Sequence, residues 1–241
     1  MDSSEIQDSF ESFAIITPNL FILPTPIAVS LVKYRTLYAR LHSDESFCQM
    51  GFGPHFAARH WNDDETRKVI EIRDINRSWK RYALGDFALG LRPGSLKATL
   101  QKDDHKGSVI KGDAFNHLVG SNLEHLDEVQ WIGYTGVRDA TTTSLPAREA
   151  NDPVLPPWRE MIEVRYGVSP EFWGRGIAKE AAEAVIQWAV NERGARRFIA
   201  ETERHNERSA RVLRKLGFVA SGTDYWKEPS EVEWELVVQK V

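Results

Sequence analysis

The sequence is short of several features that would assign it to a particular class. It has one cysteine, Cys48, so no disulfide can form within the chain. No apolar run approaches the roughly 20 residues that a membrane-spanning helix needs. Its 31 Lys and Arg residues do not outnumber its 35 Asp and Glu residues, and no dense basic stripe is present. We therefore expect neither nucleic acid nor a membrane as a partner.

The N-terminus also lacks a targeting signal. Its first ten residues, MDSSEIQDSF, are acidic and contain neither the basic start nor the apolar stretch of a secretory signal. We predict a mobile tail over residues 1–12 and a cytoplasmic, soluble protein. The 241-residue length, with 41% hydrophobic and 27% charged residues, is typical of one globular domain, expected over residues 13–241.

The first half of the sequence predicts strands and helices separated by polar segments. Apolar runs and helical spacing predict a strand at 20–23, helices over 27–41 and about 64–80, and strands at 87–91 and 129–137. Two remaining segments, at about 93–127 and 139–158, are predicted to be mostly loop. Loops of this length are usually functional or mobile, which suggests that they shape a substrate site.

The C-terminal third has clearer signals. A helix is predicted from Ala178 to a stop at Gly194, and another from a cap at Asn206 to a stop at Gly217. Strands are predicted at 161–168, 197–202, 218–221 and 232–238. Alternation of strand and helix predicts an α/β layout with a mixed sheet.

The turn between the strand at 161–168 and the following helix has an unusual composition. Its residues 173–178 read Trp-Gly-Arg-Gly-Ile-Ala. Small residues let a ligand approach the backbone, and the first amides of a helix attract a phosphate. No Gly-Lys-Ser/Thr follows, and Lys179 stands where a dinucleotide fingerprint needs a third glycine. The turn therefore indicates a phosphate site, although a glycine-rich turn without a ligand is also consistent with the pattern.

Two segments resemble one protein family. Val168-x-Pro170-x-x-Trp173-x-x-Gly176-x-Ala178 resembles the pyrophosphate-binding signature of the GNAT acetyltransferases. Trp173, together with the stretch from Asn206 to Phe218, is similar to the branch that contains ribosomal-protein N-terminal acetyltransferases. The resemblance covers residues 161–221 well, and residues 20–91 only loosely.

The resemblance implies a GNAT fold, in which helices flank a central, mixed, strongly twisted sheet with two splayed parallel strands. It implies one such domain with an insertion at about 93–127, acetyl-CoA as co-substrate in the wedge between those strands, and no metal. A backbone N–H near residues 164–166 would polarise the thioester. The residues implied to bind the co-substrate are Tyr166, Val168, Trp173, Gly174, Arg175, Gly176, Ile177, Ala178 and Asn206.

The implied reaction is direct transfer of the acetyl group to a primary amine, on a small molecule or a protein N-terminus. An alkyl ammonium must lose a proton first, so a general base is needed. Glu163 is the first candidate base and Glu201 the second; cross-sheet pairing is the alternative role of Glu163. Ser209 could lie near the sulfur, and its alternative role is that of an exposed serine in the first turn of a helix. Asn206 could hold the co-substrate or a water, and its alternative role is that of a helix cap.

One position departs from the family pattern. Leu213 occupies the place where many GNAT enzymes have a tyrosine that protonates the leaving thiolate. This leaves a second hypothesis open, a non-catalytic acyl-CoA-binding module of the same fold. A third is a nucleotide-binding regulatory domain that uses the same turn.

Overall fold

A nine-stranded sheet forms the centre of the computed structural model, which describes residues 10–53, 56–94 and 107–239. The order of the strands across the sheet is β4-β1-β2-β3-β5-β6-β7-β9-β8. Every neighbouring pair is antiparallel except β6 and β7. The strands are β1 (Phe13–Ile16), β2 (Leu20–Pro24), β3 (Gly85–Leu91), β4 (Ser108–Lys111), β5 (Trp131–Asp139), β6 (Ile162–Val168), β7 (Arg197–Glu203), β8 (Val219–Ala220) and β9 (Glu231–Val237).

Helices cover both faces of this sheet. The long α8 and the shorter α9 pack on one face, and α2, α3, α4 and α6 pack on the other. A π-helical turn at Glu71–Trp79 continues α4 into α5. The α-helices are α1 (Thr25–Ala28), α2 (Val32–Ser43), α3 (Glu45–Phe52), α4 (Asp63–Ile70), α5 (Lys80–Tyr82), α6 (Gly112–Val119), α7 (Ala140–Thr143), α8 (Ile177–Arg193) and α9 (Glu207–Leu216).

The two parallel strands part soon after they meet. Their ladder contains only the pairs Ile162↔Phe198 and Glu163↔Ile199. Both strands continue beyond it, so residues 164–168 and 200–203 enclose a gap, called the wedge below. The fold class expected from the sequence, a mixed sheet with splayed parallel strands between helices, is therefore confirmed.

Backbone groups of β6 point into this wedge. The N–H of Ser169 donates to Ile132 O on β5 at 2.8 Å. Because successive residues of a strand direct their N–H and C=O groups to opposite sides, those of Val164, Tyr166 and Val168 point toward β7. They have no ladder partner there, since pairing with β7 ends at Glu163.

The elements of the C-terminal third agree with the sequence prediction. The helix α8 ends at Gly194, which has a φ of 68°. The helix α9 begins with Asn206 as its cap, where the side-chain oxygen accepts a hydrogen bond from Ser209 N at 3.0 Å. Glycine is common just after a helix and asparagine just before one. The end of α8 and the start of α9 therefore agree with the local sequence.

Two differences concern the N-terminal part. The strand β1 (Phe13–Ile16) was not predicted, and all four of its residues are buried. It lies between β4 and β2 and is covered on both faces, so it lacks the alternation of a half-exposed strand. The single helix predicted over 27–41 is divided into α1 and α2. Residues 1–9 of the predicted tail lie outside the described residues.

The segments expected to be loops contain ordered elements. Residues 95–106 lie outside the described part of the chain, but the following residues form the edge strand β4 and the helix α6. Phe115, Leu118 and Val119 of α6 are buried against the sheet. The segment 139–158 is mostly loop as predicted, apart from α7. The domain limits and the insertion stay predictions.

Candidate active site

A cavity of about 920 Å³ lies at the wedge. Its walls come from α3, from the facing parts of β6 and β7, and from the beginnings of α8 and α9. Most of the residues predicted to bind or react line it: Glu163, Tyr166, Val168, Trp173, Gly174, Gly176, Ile177, Ala178, Asn206 and Ser209. Arg175 is not in this lining; its side chain lies over the ring of Phe172 at 5.2 Å.

The turn before α8 leaves open space at one end of the cavity. Gly174 and Gly176 have φ angles of 79° and 78°, in the left-handed region that favours glycine. A Cβ added at either position would meet no heavy atom within 4 Å. No side chain caps the N-terminus of α8, so its first amides remain available to an anion.

Trp173 fixes this turn against the end of β6. Its indole Nε1 donates to Val168 O at 2.6 Å, and the guanidinium of Arg208 lies 4.9 Å from its ring. The carbonyl of Val168 is thereby occupied, so Val164 and Tyr166 are the residues whose N–H and C=O groups both face the wedge without a ladder partner. The basic side chains that line the cavity from α8 and α9 are those of Lys179, Arg208, Arg211 and Lys215.

The first turn of α9 forms a second wall. The buried Asn206 accepts from Ser209 N and donates its side-chain amide to Met50 O at 2.7 Å, which ties α9 to α3. The hydroxyls of Tyr166 and Ser209 are 2.7 Å apart. Burial raises the pKa of Tyr166 above its ordinary value, so its phenol stays protonated. Leu213 is buried and offers no O–H group.

Glu163 is paired across the sheet. It stands opposite Arg138 on β5, with Nε–Oε2 at 2.9 Å and Nη2–Oε1 at 3.2 Å, and it accepts from Ser144 Oγ at 2.6 Å. Burial alone would raise its pKa, but the charges of Arg138 and Arg165 and these hydrogen bonds outweigh it. The pKa of Glu163 is therefore lowered, and its carboxylate is held ionised.

Glu201 has the opposite environment. It lies partly buried on β7, just past the point where the strands part, on the same face as Glu163. Burial raises the pKa of Glu201 well above its ordinary value, and the charges of Glu163 and Glu231 add to the effect. A carboxylate that holds its proton more tightly is the stronger proton acceptor once ionised.

Carboxylates line the end of the cavity beside β7 and β9. Glu231 on β9 stands directly opposite Glu203 on β7, and both line the cavity. Burial, with the charges of Glu203 and Glu228, raises the pKa of Glu231 to about 7. The cavity is therefore basic near the turn and acidic near β7 and β9.

Neither a metal-binding cluster nor a membrane-spanning helix occurs among the described residues, 10–53, 56–94 and 107–239. No group of three or more His, Cys, Asp and Glu residues in these ranges could hold a metal ion. No helix in the same ranges is both long and apolar enough to cross a membrane.

The sequence of residues 29–219 matches the family described as acetyltransferase (GNAT) domain. The chain belongs to the GNAT acetyltransferase family. This confirms the family that the two sequence segments resembled. It also makes acetyl-CoA the expected acyl donor for the cavity.

Curated relatives of this GNAT chain match over short segments. It is 31% identical over 90 residues to FsC-acetyl coenzyme A-N(2)-transacetylase of Aspergillus fumigatus, covering 37% of the chain and 35% of that protein. It is 28% identical over 75 residues to the uncharacterized N-acetyltransferase YnaD of Bacillus subtilis, covering 27% of the chain and 44% of that protein. The matched segments thus span less than half of each relative.

Solved structures share the fold along nearly the whole chain. An acetyltransferase from Agrobacterium tumefaciens superposes with a TM-score of 0.55 at 17% identity, covering 97% of this chain and 98% of that one. The ribosomal L7/L12 alpha-N-protein acetyltransferase RimL superposes with a TM-score of 0.55 at 13% identity, covering 98% and 100%. At these identities the likeness concerns the fold.

The features of the cavity fit the donor of a GNAT enzyme. Open space above Gly174 and Gly176, with uncapped helix amides, suits a pyrophosphate. The free edge of β6 at Val164 and Tyr166 suits an extended amide-containing arm that pairs like an added strand. The basic side chains at that end match the charge of the phosphates.

Sequence reasoning missed the residues that surround the candidate carboxylates. Arg138 is 25 positions from Glu163, and only the β5–β6 register brings the two together. Thr143 and Ser144 line the cavity, so the segment 139–158 contributes to it as suggested. None of the described residues of 93–127 lines it, namely 93–94 and 107–127. No pattern in the sequence marked Glu231.

Proposed function

We propose that this GNAT protein is an N-acetyltransferase that transfers the acetyl group of acetyl-CoA directly to a primary amine. The observation that carries the proposal is the opposite charge of the two ends of the cavity at the wedge. One end has an open glycine turn and basic side chains, and the other has Glu201 with a raised pKa. The first end suits the phosphates of the donor, and the second suits a cationic amine that must lose a proton.

The chain would hold the donor through its backbone. The amides from Gly174 to Ala178 bind the pyrophosphate, since the amide of Trp173 already donates to Pro170 O, and the edge of β6 pairs with the pantetheine arm. The N–H of Val164 or Tyr166 then lies where it can donate to the thioester oxygen as negative charge develops. Asn206 supports this site as the cap that joins α9 to α3, rather than by a free amide of its own.

Glu201 is proposed as the general base in preference to Glu163. The arginine pair of Glu163 lowers its pKa and occupies both of its oxygens. In the described part of the chain, no cation lies within ion-pair distance of Glu201, and its raised pKa makes it the better acceptor for an ammonium proton. The neutral amine then attacks the thioester carbon beside the point where the strands part.

The hydroxyl pair of Tyr166 and Ser209 is proposed to assist the leaving group. Leu213 has no proton to give, but Ser209 lies one helical turn before it and the Tyr166 hydroxyl reaches Ser209 from β6. An O–H from this pair can stabilise the negative charge that develops on sulfur. The pair thus replaces the tyrosine that the family pattern has at position 213.

The acceptor is proposed to be a nitrogen nucleophile on a small molecule or a protein N-terminus. Support comes from the acidic end of the cavity and from the Aspergillus relative, whose name describes an N(2)-transacetylase. The cytoplasmic location and the absence of nucleic-acid and membrane partners stay predictions from composition.

The proposal is tested by calorimetry with acetyl-CoA, followed by a free-thiol assay with a panel of primary amines. We expect binding of acetyl-CoA and amine-dependent release of thiol. Binding without amine-dependent release would support the alternative, a non-catalytic acyl-CoA-binding module. Tight binding of ATP or NAD with no preference for CoA would instead support a nucleotide-binding regulatory domain.

A further inference from the structure

Two carboxylates at the acidic end of the cavity lack an opposite charge. Glu231 stands directly across from Glu203, and Glu201 directly across from Glu233. Like charges placed opposite each other destabilise a sheet. Glu233 is satisfied by Thr223 Oγ1 and the Trp226 amide, and Glu203 has His205 at 3.9 Å. Within the described residues, Glu201 and Glu231 have no cation within 4 Å.

Two buried polar atoms among the lining residues are also without a hydrogen-bond partner. These are Oε2 of Glu231, an acceptor, and Nε1 of Trp226, a donor, within the described part of the chain. Trp226 is only 7% exposed. An unpaired buried polar group is unfavourable, so the folded protein keeps both at the expense of stability. An ammonium group at this end of the cavity would satisfy Oε2 of Glu231, whereas Nε1 of Trp226 needs an acceptor, which an ammonium group does not offer.

The nearby arginines do not supply the missing charge. Arg138 is used by Glu163. Arg165 lies 3.5 Å from Asp86 and 5.0 Å from the ring centre of Tyr134. Since no group in the described chain has the arrangement to hold a metal ion, an organic cation is the better match for the unpaired carboxylates.

We infer that the amine acceptor carries a second ammonium group, which Glu231 binds while Glu201 faces the reacting amine. This inference rests on the proposed function. Glu201 on β7 and Glu231 on β9 are diagonal neighbours across the antiparallel β7–β9 pair. Residues in diagonal positions have their backbones about 7–8 Å apart. An aliphatic diamine such as 1,4-diaminobutane in extended form has a comparable length, as has a lysine at a peptide N-terminus.

An apolar wall lines the same cavity as these carboxylates. Phe47, Phe52 and Phe56 line it from α3 and the residues that follow. They can cover the methylene chain of a diamine, because a diamine needs water or carboxylates only at its two charged ends. The wall and the two carboxylates together match the alternation of charge and hydrocarbon in a diamine.

The test compares two amines with the same four-carbon chain, 1,4-diaminobutane and 1-aminobutane. They differ by one ammonium group. We expect kcat/KM for the diamine to exceed that for the monoamine by about tenfold or more in the wild type. In Glu231→Gln this preference should fall to near unity. The matched control is Glu11→Gln, which removes an exposed carboxylate outside the lining and should retain the preference.

A binding measurement keeps the inference testable if no amine is acetylated and the proposed function fails. Calorimetry of the CoA-bound protein should show about tenfold tighter binding of the diamine than of the monoamine, lost in Glu231→Gln and kept in Glu11→Gln. Equal binding of the two amines by the wild type, or a preference that survives in Glu231→Gln, would overturn the inference.

A pair of peptides distinguishes the two sources of the dication. One begins with lysine and the other with norleucine, which has the same chain length without the charge. A preference for the lysyl peptide supports the second ammonium on a protein N-terminus, and a preference for 1,4-diaminobutane supports it on a small molecule. Absence of both preferences would contradict the second-ammonium site.

Discussion

Glu163 and Glu201 lie on neighbouring strands and face the same side of the sheet, yet their pKa values are shifted in opposite directions. Burial and the neighbouring carboxylates raise the pKa of Glu201, whereas Arg138, with help from Arg165 and Ser144, outweighs burial and lowers the pKa of Glu163. An ionised carboxylate in an arginine pair serves structure, whereas an unpaired carboxylate with a raised pKa is suited to take a proton. The assignment of the base follows from this difference.

We predict that Glu201→Gln lowers kcat by about 10²-fold or more while the affinity for acetyl-CoA is kept, because only proton removal is lost. Steady-state kinetics and calorimetry measure the two quantities. The wild-type rate should fall as the pH drops below the raised pKa of Glu201, because the base must be ionised. This acid limb should disappear in the variant.

The comparison with Glu163→Gln separates a catalytic role from a structural one. That change leaves Arg138 largely buried without its partner, and we expect a loss of about 1–3 kcal/mol in the free energy of unfolding. Denaturant unfolding measures it. If Glu163→Gln kept its stability and lost kcat while Glu201→Gln stayed active, the two roles would have to be exchanged.

A second prediction at this scale concerns the leaving group. Tyr166→Phe removes the hydroxyl that touches Ser209 and should lower kcat by about 10²-fold with unchanged acetyl-CoA affinity. Ser209→Ala should act through the same contact, so the double variant should lose little more than either single one. Additive losses in the cycle would show that the two hydroxyls act separately.

At the scale of elements, the turn before α8 carries donor binding. Gly176→Glu places a side chain and a negative charge in the open space above the helix N-terminus, and we expect acetyl-CoA binding to be lost in calorimetry. Gly194→Glu is the matched control, because Gly194 ends the same helix with φ at 68° and equally open surroundings. Equal affinities of the two folded variants for acetyl-CoA would contradict the assignment of the donor site to this turn.

The elements also show what the sequence could predict. The caps at Asn206 and Gly194 and the apolar face of α8 are local signals, and the helices they predict are present. The strand β1 was missed because burial on both faces removes its alternation. The pairing of Glu163 with Arg138 and the position of Glu231 depend on sheet register, which no local pattern encodes.

At the scale of the molecule, a net charge of −4 conceals a cavity with two ends of opposite charge. The acidic end should affect stability as well as binding. The pKa of Glu231 is raised from 4.5 to about 7 in the folded state, so its contribution to stability is present below pH 4.5 and lost as the pH rises to 7.

We therefore predict that Glu231→Gln gains stability relative to the wild type across this pH window, by about 1 kcal/mol once solvent screening is allowed for. Urea unfolding of both proteins at pH 4.5 and pH 8 measures the difference. The exposed Glu11→Gln, whose charge is not among those that act on Glu231, should show no such gain. A stability difference that stays constant between the two pH values would contradict the raised pKa.

The most direct test of acetyl transfer is mass spectrometry of the acceptor after incubation with acetyl-CoA and the wild-type protein. We predict that a primary amine gains one acetyl group on nitrogen for each free thiol released, and that Gly176→Glu yields neither product. A wild-type protein that binds acetyl-CoA but leaves every amine of the panel unmodified would contradict the assignment of an N-acetyltransferase.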